Sequence, residues 1–279
     1  MDYKVVVDSC GELTSAMKAT KQYQTAPLSI LVDDHTIIDD ERFDQASFLA
    51  KVAASPNCPK SACPSPEYYM NSYQGDEKRV YAVTLSSELS GSYNSAMLGK
   101  NLYLEEYGTK DIHVFNSRSA SVGQTLIGMK IAACEEEGMS FNEVVDMVEA
   151  YIAEQNTYFV LETLDALRKN GRLTGLKALV ANALNIKPVM GATQQGVICQ
   201  HGQARGIKKA LGKMVDKIVA EVKHPEEKIL AIAHCNCRVR AETVKDMLQS
   251  KLKLKAIFII DTRGISSLYA SDGGIIVAV

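Results

Sequence analysis

The sequence lacks an excess of charge of either sign. Thirty-one basic side chains stand against 33 acidic ones, giving a formal net charge of −2. That balance supplies no broad positive field for a polyanion, so nucleic acid is not an expected partner. No apolar run reaches membrane-spanning length, and no membrane span is expected. The opening Met1-Asp2-Tyr3-Lys4 leads straight into a short β-type run, without the basic segment, apolar core and cleavage site of a secretory signal. The cysteines number seven, are scattered and do not divide into pairs, which suits a reducing compartment better than a disulfide framework. A cytoplasmic protein is the expectation.

Several catalytic and cofactor signatures are also missing. The chain contains no G-x-x-x-x-G-K-[S/T] loop, no G-x-G-x-x-G turn, no G-x-S-x-G elbow and no H-E-x-x-H helix. Self-sufficient ATP or NAD chemistry is disfavoured, and no cofactor is expected. Asp8-Ser9 could suggest a phosphotransferase aspartate, but Cys10 stands where the usual second acidic residue would be. A role in bonding local backbone N–H groups is the better reading for both residues. His234-Cys235-Asn236-Cys237 carries zinc-ligand chemistry at a poor spacing, because alternate residues of a strand face opposite sides and no second cysteine pair follows. No metal site is expected.

What is present reads as α/β. A chain of 279 residues, 46% of them hydrophobic, is long enough for one large α/β domain or two smaller ones. Short β-branched runs alternate with amphipathic stretches, the pattern of a largely parallel sheet. The strands fall at 4–8, 79–85, 112–116, 158–162, 228–234, 256–261 and 274–279. Ser140 and Glu143 form a capping box for a helix whose apolar period runs through Val144, Val148 and Ile152, with Met139 and Val144 as its staple. After Arg205, the residues Ile207, Leu211, Met214 and Ile218 face one way while Lys209, Lys213 and Lys217 make a basic stripe. Near residue 155 the pattern changes, and 186–200 reads as a hairpin punctuated by Gly191 and Gly196. The chain is therefore divided into an N-terminal domain, 1–155, and a second α/β domain, 156–279.

The densest chemistry is the segment VTLSSELSGSYNSA, residues 83–96, with five Ser and one Thr at a strand-to-helix junction. The helix is expected from Leu89, with Tyr93, Ala96, Met97 and Leu104 on one face. Free N–H groups and the positive end of the helix dipole let such a junction hold a carboxylate or phosphate without a fixed cation. Ser61 adds a hydroxyl from Lys60-Ser61-Ala62-Cys63-Pro64-Ser65-Pro66, ahead of a helix expected to begin at Pro66. Taken alone, these residues describe an α/β protein that binds a small anion.

Several segments occur here in a specific order: Val7-Asp8-Ser9, Ala26-Pro27-Leu28-Ser29, Lys60 to Ser65, Leu85 to Tyr93, Asn116-Ser117, LDALRKNGRLTG at 164–175, Lys187-Pro188 and Arg205 with Lys208-Lys209-Ala210. In these segments, over essentially its whole length, the chain resembles the DegV family of bacterial fatty-acid-binding proteins, some of which are acyl-carrier subunits of a fatty-acid kinase. The resemblance implies an N-terminal Rossmann-like domain with a largely parallel sheet, a smaller C-terminal α/β domain, and an acyl chain in an apolar tunnel at their junction. It further implies that the carboxylate is held by Ser61 and Ser87, with Ser86 beside them, and that Arg205 and Ser271 are candidate head-group or partner contacts. The chain departs from the family pattern in two places. Ser61-Ala62-Cys63-Pro64 replaces T-S-Q-P, and Ala270 stands at the family's histidine in the segment Ala270-Ser271-Asp272-Gly273-Gly274. One hydrogen bond fewer to a charged group weakens binding about tenfold or more.

The leading expectation is a non-enzymatic carrier of a long-chain fatty acid, with affinity from apolar burial and orientation from the hydroxyls. Two alternatives stand beside it. One is an acyl-presenting subunit for a separate ATP-dependent fatty-acid kinase. The other is a small-molecule enzyme using Asp8 and the serines.

Overall fold

The computed structural model describes residues 2–173 and 185–279, so Thr174 and Gly175 of the LDALRKNGRLTG segment lie outside the described residues. Along the chain the elements are β1 (Tyr3–Asp8), α1 (Ser15–Lys18), β2 (Tyr23–Ala26), β3 (Ser29–Val32), β4 (His35–Ile38), α2 (Gln45–Ala54), β5 (Lys60–Ala62) and α3 (Pro66–Ser72). There follow β6 (Arg79–Thr84), α4 (Ser92–Tyr107), β7 (Asp111–Asn116), α5 (Val122–Glu136), α6 (Phe141–Glu154), β8 (Thr157–Val160) and α7 (Asp165–Lys169). The chain continues with β9 (Ile186–Ala192), β10 (Ile198–Arg205), α8 (Ile207–Glu221), β11 (Ile229–His234), α9 (Arg238–Gln249), β12 (Ala256–Asp261), α10 (Gly264–Ala270) and β13 (Ile275–Ala278). Every strand read from the sequence is present, with its ends shifted by no more than two residues.

The first sheet, in the order β2-β1-β6-β7, is parallel throughout. Its central strands β1 and β6 are buried on both sides because helices cover both faces. Val5 and Val7 of β1 pack with Ile127 and Ile131 of α5 and Val144 and Val148 of α6. Val6, one residue out of phase, packs with Tyr69 of α3 and Ala96 of α4 on the other face. The α3 helix begins at Pro66, as expected, with Ser65 accepting from Tyr68 N at its N-cap. The capping box of α6 forms as read, each of Ser140 and Glu143 bonding the other's backbone N–H. By contrast α4 begins at Ser92 rather than Leu89, because residues 85–91 are drawn into a loop.

The second sheet is mixed, in the order β10-β9-β8-β13-β11-β12, with only β11 and β12 parallel. One face is covered by α8 and α9, through Leu211, Met214, Ile218, Val244 and Leu248. The other face meets α5, where Val122 and Leu126 pack on Ala231, Ala233 and Ala278. The α5 helix is therefore clamped between the two sheets. Its first seven residues, Val122 to Gly128, are all buried, which is why it shows no amphipathic stripe. The β9–β10 pair is the expected hairpin, closed by a turn in which Gly196 takes a φ of 85°.

A third, small antiparallel sheet, β4-β3-β5, has no counterpart in the sequence reading. Ile30 and Val32 of β3 bury against Phe48 of α2 and against Ile265 and Leu268 of α10. Asp39, which follows β4 and is fully buried, accepts from Gly264 N at 2.8 Å and Ile265 N at 2.9 Å, closing the start of α10. Residues 264–270 are thereby pinned onto the N-terminal part of the chain.

Candidate functional site

Where these elements converge, a cavity of about 740 Å³, counting its open mouth, lies between the loops after β1, β6 and β7, the strands β8 to β10 and the helix α10. Its walls are apolar: Leu85 and Leu89 from the loop after β6, Phe159 and Leu161 from β8 and just beyond it, Ile198 from β10 and Ile276 from β13.

Hydroxyls also line the cavity, but the protein itself uses them. Ser121 donates to Glu12 Oε2 at 2.7 Å, and Ser266 donates to the Cys10 carbonyl at 3.0 Å. Ser119 and Thr157 share a bond of 2.5 Å. Each of these bonds satisfies a group that would otherwise be costly to bury. The wall is therefore less polar than its residue types suggest.

The loop 85–91 is held from beneath by Asp8. Its Oδ2 accepts from Leu85 N and Ser92 Oγ, each at 2.8 Å, and its Oδ1 accepts from Gln124 Nε2 at 2.8 Å and Cys10 N at 3.2 Å. Burial dominates its titration and pushes the carboxyl up to about 6, against the pull of these four bonds. Asp8 does not line the cavity. Four donors saturate its oxygens, so it anchors backbone as the Asp8-Ser9 reading expects, and nothing leaves it free for chemistry on a ligand. Ser9 Oγ accepts from Leu28 N at 3.0 Å.

The hydroxyl-rich segment divides into distinct roles. Ser86 is buried, donates to the Gly196 carbonyl at 2.8 Å and accepts from Glu88 N at 3.2 Å, tying the loop to the β9–β10 turn. Ser87 accepts from Asn116 Nδ2 at 2.8 Å, and its own hydroxyl hydrogen has no acceptor among the described residues. Ser90 Oγ accepts from Ser92 N at 3.2 Å. Ser61, half-buried on β5, bonds the phenol of Tyr269 at 2.9 Å. Arg205 is exposed at the end of β10, and Ser271 follows α10 with a φ of 57°. None of these predicted site residues, Ser61, Ser86, Ser87, Arg205 or Ser271, lines the cavity.

Sequence reasoning missed Tyr269, Arg172, Arg118, Ser119, Ser121 and Ser266, all cavity-lining residues. Arg172 stands in the LDALRKNGRLTG segment and so carried a signal. Ser266 and Tyr269 gave none, because nothing local marks a short helix as facing a cavity built by distant strands. Of the cluster that drew the metal question, His234 Nδ1 accepts from Cys237 N at 3.3 Å and Cys237 Sγ lies 3.5 Å from the Gly274 carbonyl.

Fold and site together define a class: an α/β protein that encloses an apolar cavity at the meeting of a parallel and a mixed sheet, with its few polar groups gathered on loops and on α10. The chain belongs to the DegV family. The model of that family, whose members are described as uncharacterised proteins, matches residues 2–278. Among solved structures, a DegV family protein of Ruminococcus gnavus ATCC 29149, described with vaccenic acid, is 60% identical, with each chain fully covered and a TM-score of 0.98. The fatty acid kinase (Fak) B3 protein of Streptococcus pneumoniae, described as loaded with linoleic acid, is 32% identical over 100% of this chain and 99% of its own, with a TM-score of 0.90. A DegV domain-containing protein of Streptococcus pneumoniae R6 is 34% identical over 99% of this chain and 98% of its own length.

Proposed function

We propose that this protein binds a long-chain fatty acid in the cavity and is a carrier rather than an enzyme. The observation that carries the reading is the cavity itself, apolar in its walls and with its serines and threonines largely bonded inward, in a chain 60% identical to a structure described with vaccenic acid. Apolar burial at roughly 0.8 kcal/mol per methylene supplies the affinity. A polar metabolite would find few free partners on such a wall.

We assign the carboxylate to the side of the cavity nearest Ser61, Ser86 and Ser87, which touch lining residues or their loop without lining the cavity themselves. Among the described residues Ser87 has an unspent hydrogen, Ser61 shares one with Tyr269, and Ser86 seats the loop. Arg205, exposed beside the basic stripe of α8, is better placed to meet a partner than the ligand head, and Ser271 lies at the foot of α10. We set the domain division at residues 155/156, between α6 and β8, with the cavity at the junction. The seven cysteines are all free thiols, which fits a cytoplasmic setting. No helix among the described residues is long and apolar enough to cross a membrane. The sequence carries no nucleotide-binding loop, so in this reading any activation of the bound acid needs a separate ATP-binding partner.

Extraction of the purified, denatured protein followed by mass spectrometry is expected to return about one fatty acid per chain. Protein that emerges free of lipid, and that also ignores added oleate, contradicts the proposal.

A further inference from the structure

The geometry points to Tyr269 as a head-group donor that reads the carboxylate of the bound acyl chain, an inference that rests on the fatty-acid reading of the cavity. Tyr269 sits on the last turn of α10 and lines the cavity, whereas Ser61, its partner at 2.9 Å, does not. Two hydroxyls that share one bond place one hydrogen between them and leave the other over. Among the described residues no acceptor takes that second hydrogen. Either hydroxyl can donate in that bond; the assignment takes Ser61 as the donor, which leaves the Tyr269 O–H for the cavity that Tyr269 lines.

The surroundings favour an anion at this point. The Arg172 guanidinium lies 5.8 Å from the centre of the Tyr269 ring and also lines the cavity. Its Nε donates to the Leu89 carbonyl at 3.1 Å and an Nη to the Asn170 carbonyl at 2.5 Å. No carboxylate lies within ion-pair distance of Arg172 among the described residues, whereas the other cavity-lining arginine, Arg118, has Glu149 at 3.8 Å. On the same wall Ser121 and Ser266 donate to Glu12 and the Cys10 carbonyl, and the Ser119–Thr157 pair has a second acceptor, the Ala120 carbonyl 3.4 Å from Ser119 Oγ. An uncommitted donor and an uncompensated cation thus meet at Tyr269. A carboxylate there satisfies the phenol with a charge-assisted bond and lies within the field of Arg172. Burial pushes the phenol above its ordinary pKa, against the pull of Ser61 and Arg172, so it keeps its proton where a fatty acid has lost its own. Ser61 acts through the phenol, as a positioning residue.

The test compares oleate with oleyl alcohol, which has the same chain and a neutral head, by competition on delipidated protein. Tyr269→Phe keeps the ring that forms the wall and removes only the hydroxyl. Wild type is expected to prefer oleate, and Tyr269→Phe to lose about tenfold in oleate affinity with alcohol binding unchanged. The same preference in Tyr269→Phe as in wild type overturns the assignment. Wild type that binds neither lipid overturns the fatty-acid reading instead. Should Tyr269→Phe fail to bind the alcohol, Ser61→Ala leaves the wall intact and is expected to reduce the preference severalfold, so an unchanged preference there also overturns the assignment.

Discussion

Three carboxyls, Asp8, Glu12 and Asp39, lie fully buried around the loops that frame the cavity. Each is held by hydrogen bonds from backbone and from neutral side chains. Among the described residues, Arg263 Nε, 4.0 Å from Asp39, is the only cation within ion-pair distance of any of them. Burial is the leading influence on all three and raises each pKa, that of Glu12 to about 7. A carboxyl whose folded pKa lies above its unfolded value binds more protons in the folded state. Its contribution to stability is complete below the unfolded pKa near 4.5 and is lost as pH rises through the folded value. Glu12→Gln keeps an acceptor for Ser121 and removes the titration. Urea unfolding at pH 5 and pH 8 is expected to show the variant gaining on wild type by on the order of 3 kcal/mol across that interval. Parallel pH profiles would contradict it. At this scale the sequence was partly legible. Asp8 and Ser9 read as backbone anchors because Asp and Ser at a strand end bond local N–H groups wherever they occur. Glu12 carried no mark, since its isolation depends on packing by Ser121 and Ser266 from the far reaches of the chain.

Elements whose signals are local were legible. The α6 capping box needs only four residues, and the α8 apolar face repeats over four turns. The strands β2 to β5 were not, because each is three or four residues long, and β3 and β4 pack against α2 and α10 from elsewhere in the chain. The β9–β10 hairpin is the element that most directly shapes the cavity. Its Gly196 lines the wall at a φ of 85°, and a Cβ there would collide with Ser86 Oγ and come 2.8 Å from the Arg118 backbone. Gly196→Ala therefore strains the turn and breaks the Ser86 latch at once. A loss of 2 kcal/mol or more in unfolding free energy is expected, together with weaker oleate binding. A variant with native stability and affinity would show that the turn has no part in closing the cavity.

For the whole molecule, the cavity gathers side chains from Cys10 to Ile276, almost the full length of the chain. No window of sequence contains such a site. In the sequence the hydroxyl-rich loop pointed to an anion, though its Ser86 and Ser87 do not line the cavity, and the family resemblance supplied the acyl tail. The enclosing wall emerged only when α10 was pinned to the small sheet by Asp39 and α5 was clamped between the two larger ones. A carrier built this way shields the chain of its ligand while leaving Lys208 and Lys209 at the start of α8 exposed; farther along, Lys217 is paired with Glu221. The most direct test is a crystal structure of the protein loaded with oleate. The account predicts an acyl chain along Leu85, Phe159 and Ile276 with its carboxylate beside Ser61 and Tyr269. Oleate bound elsewhere on the protein, with this cavity empty, would contradict it.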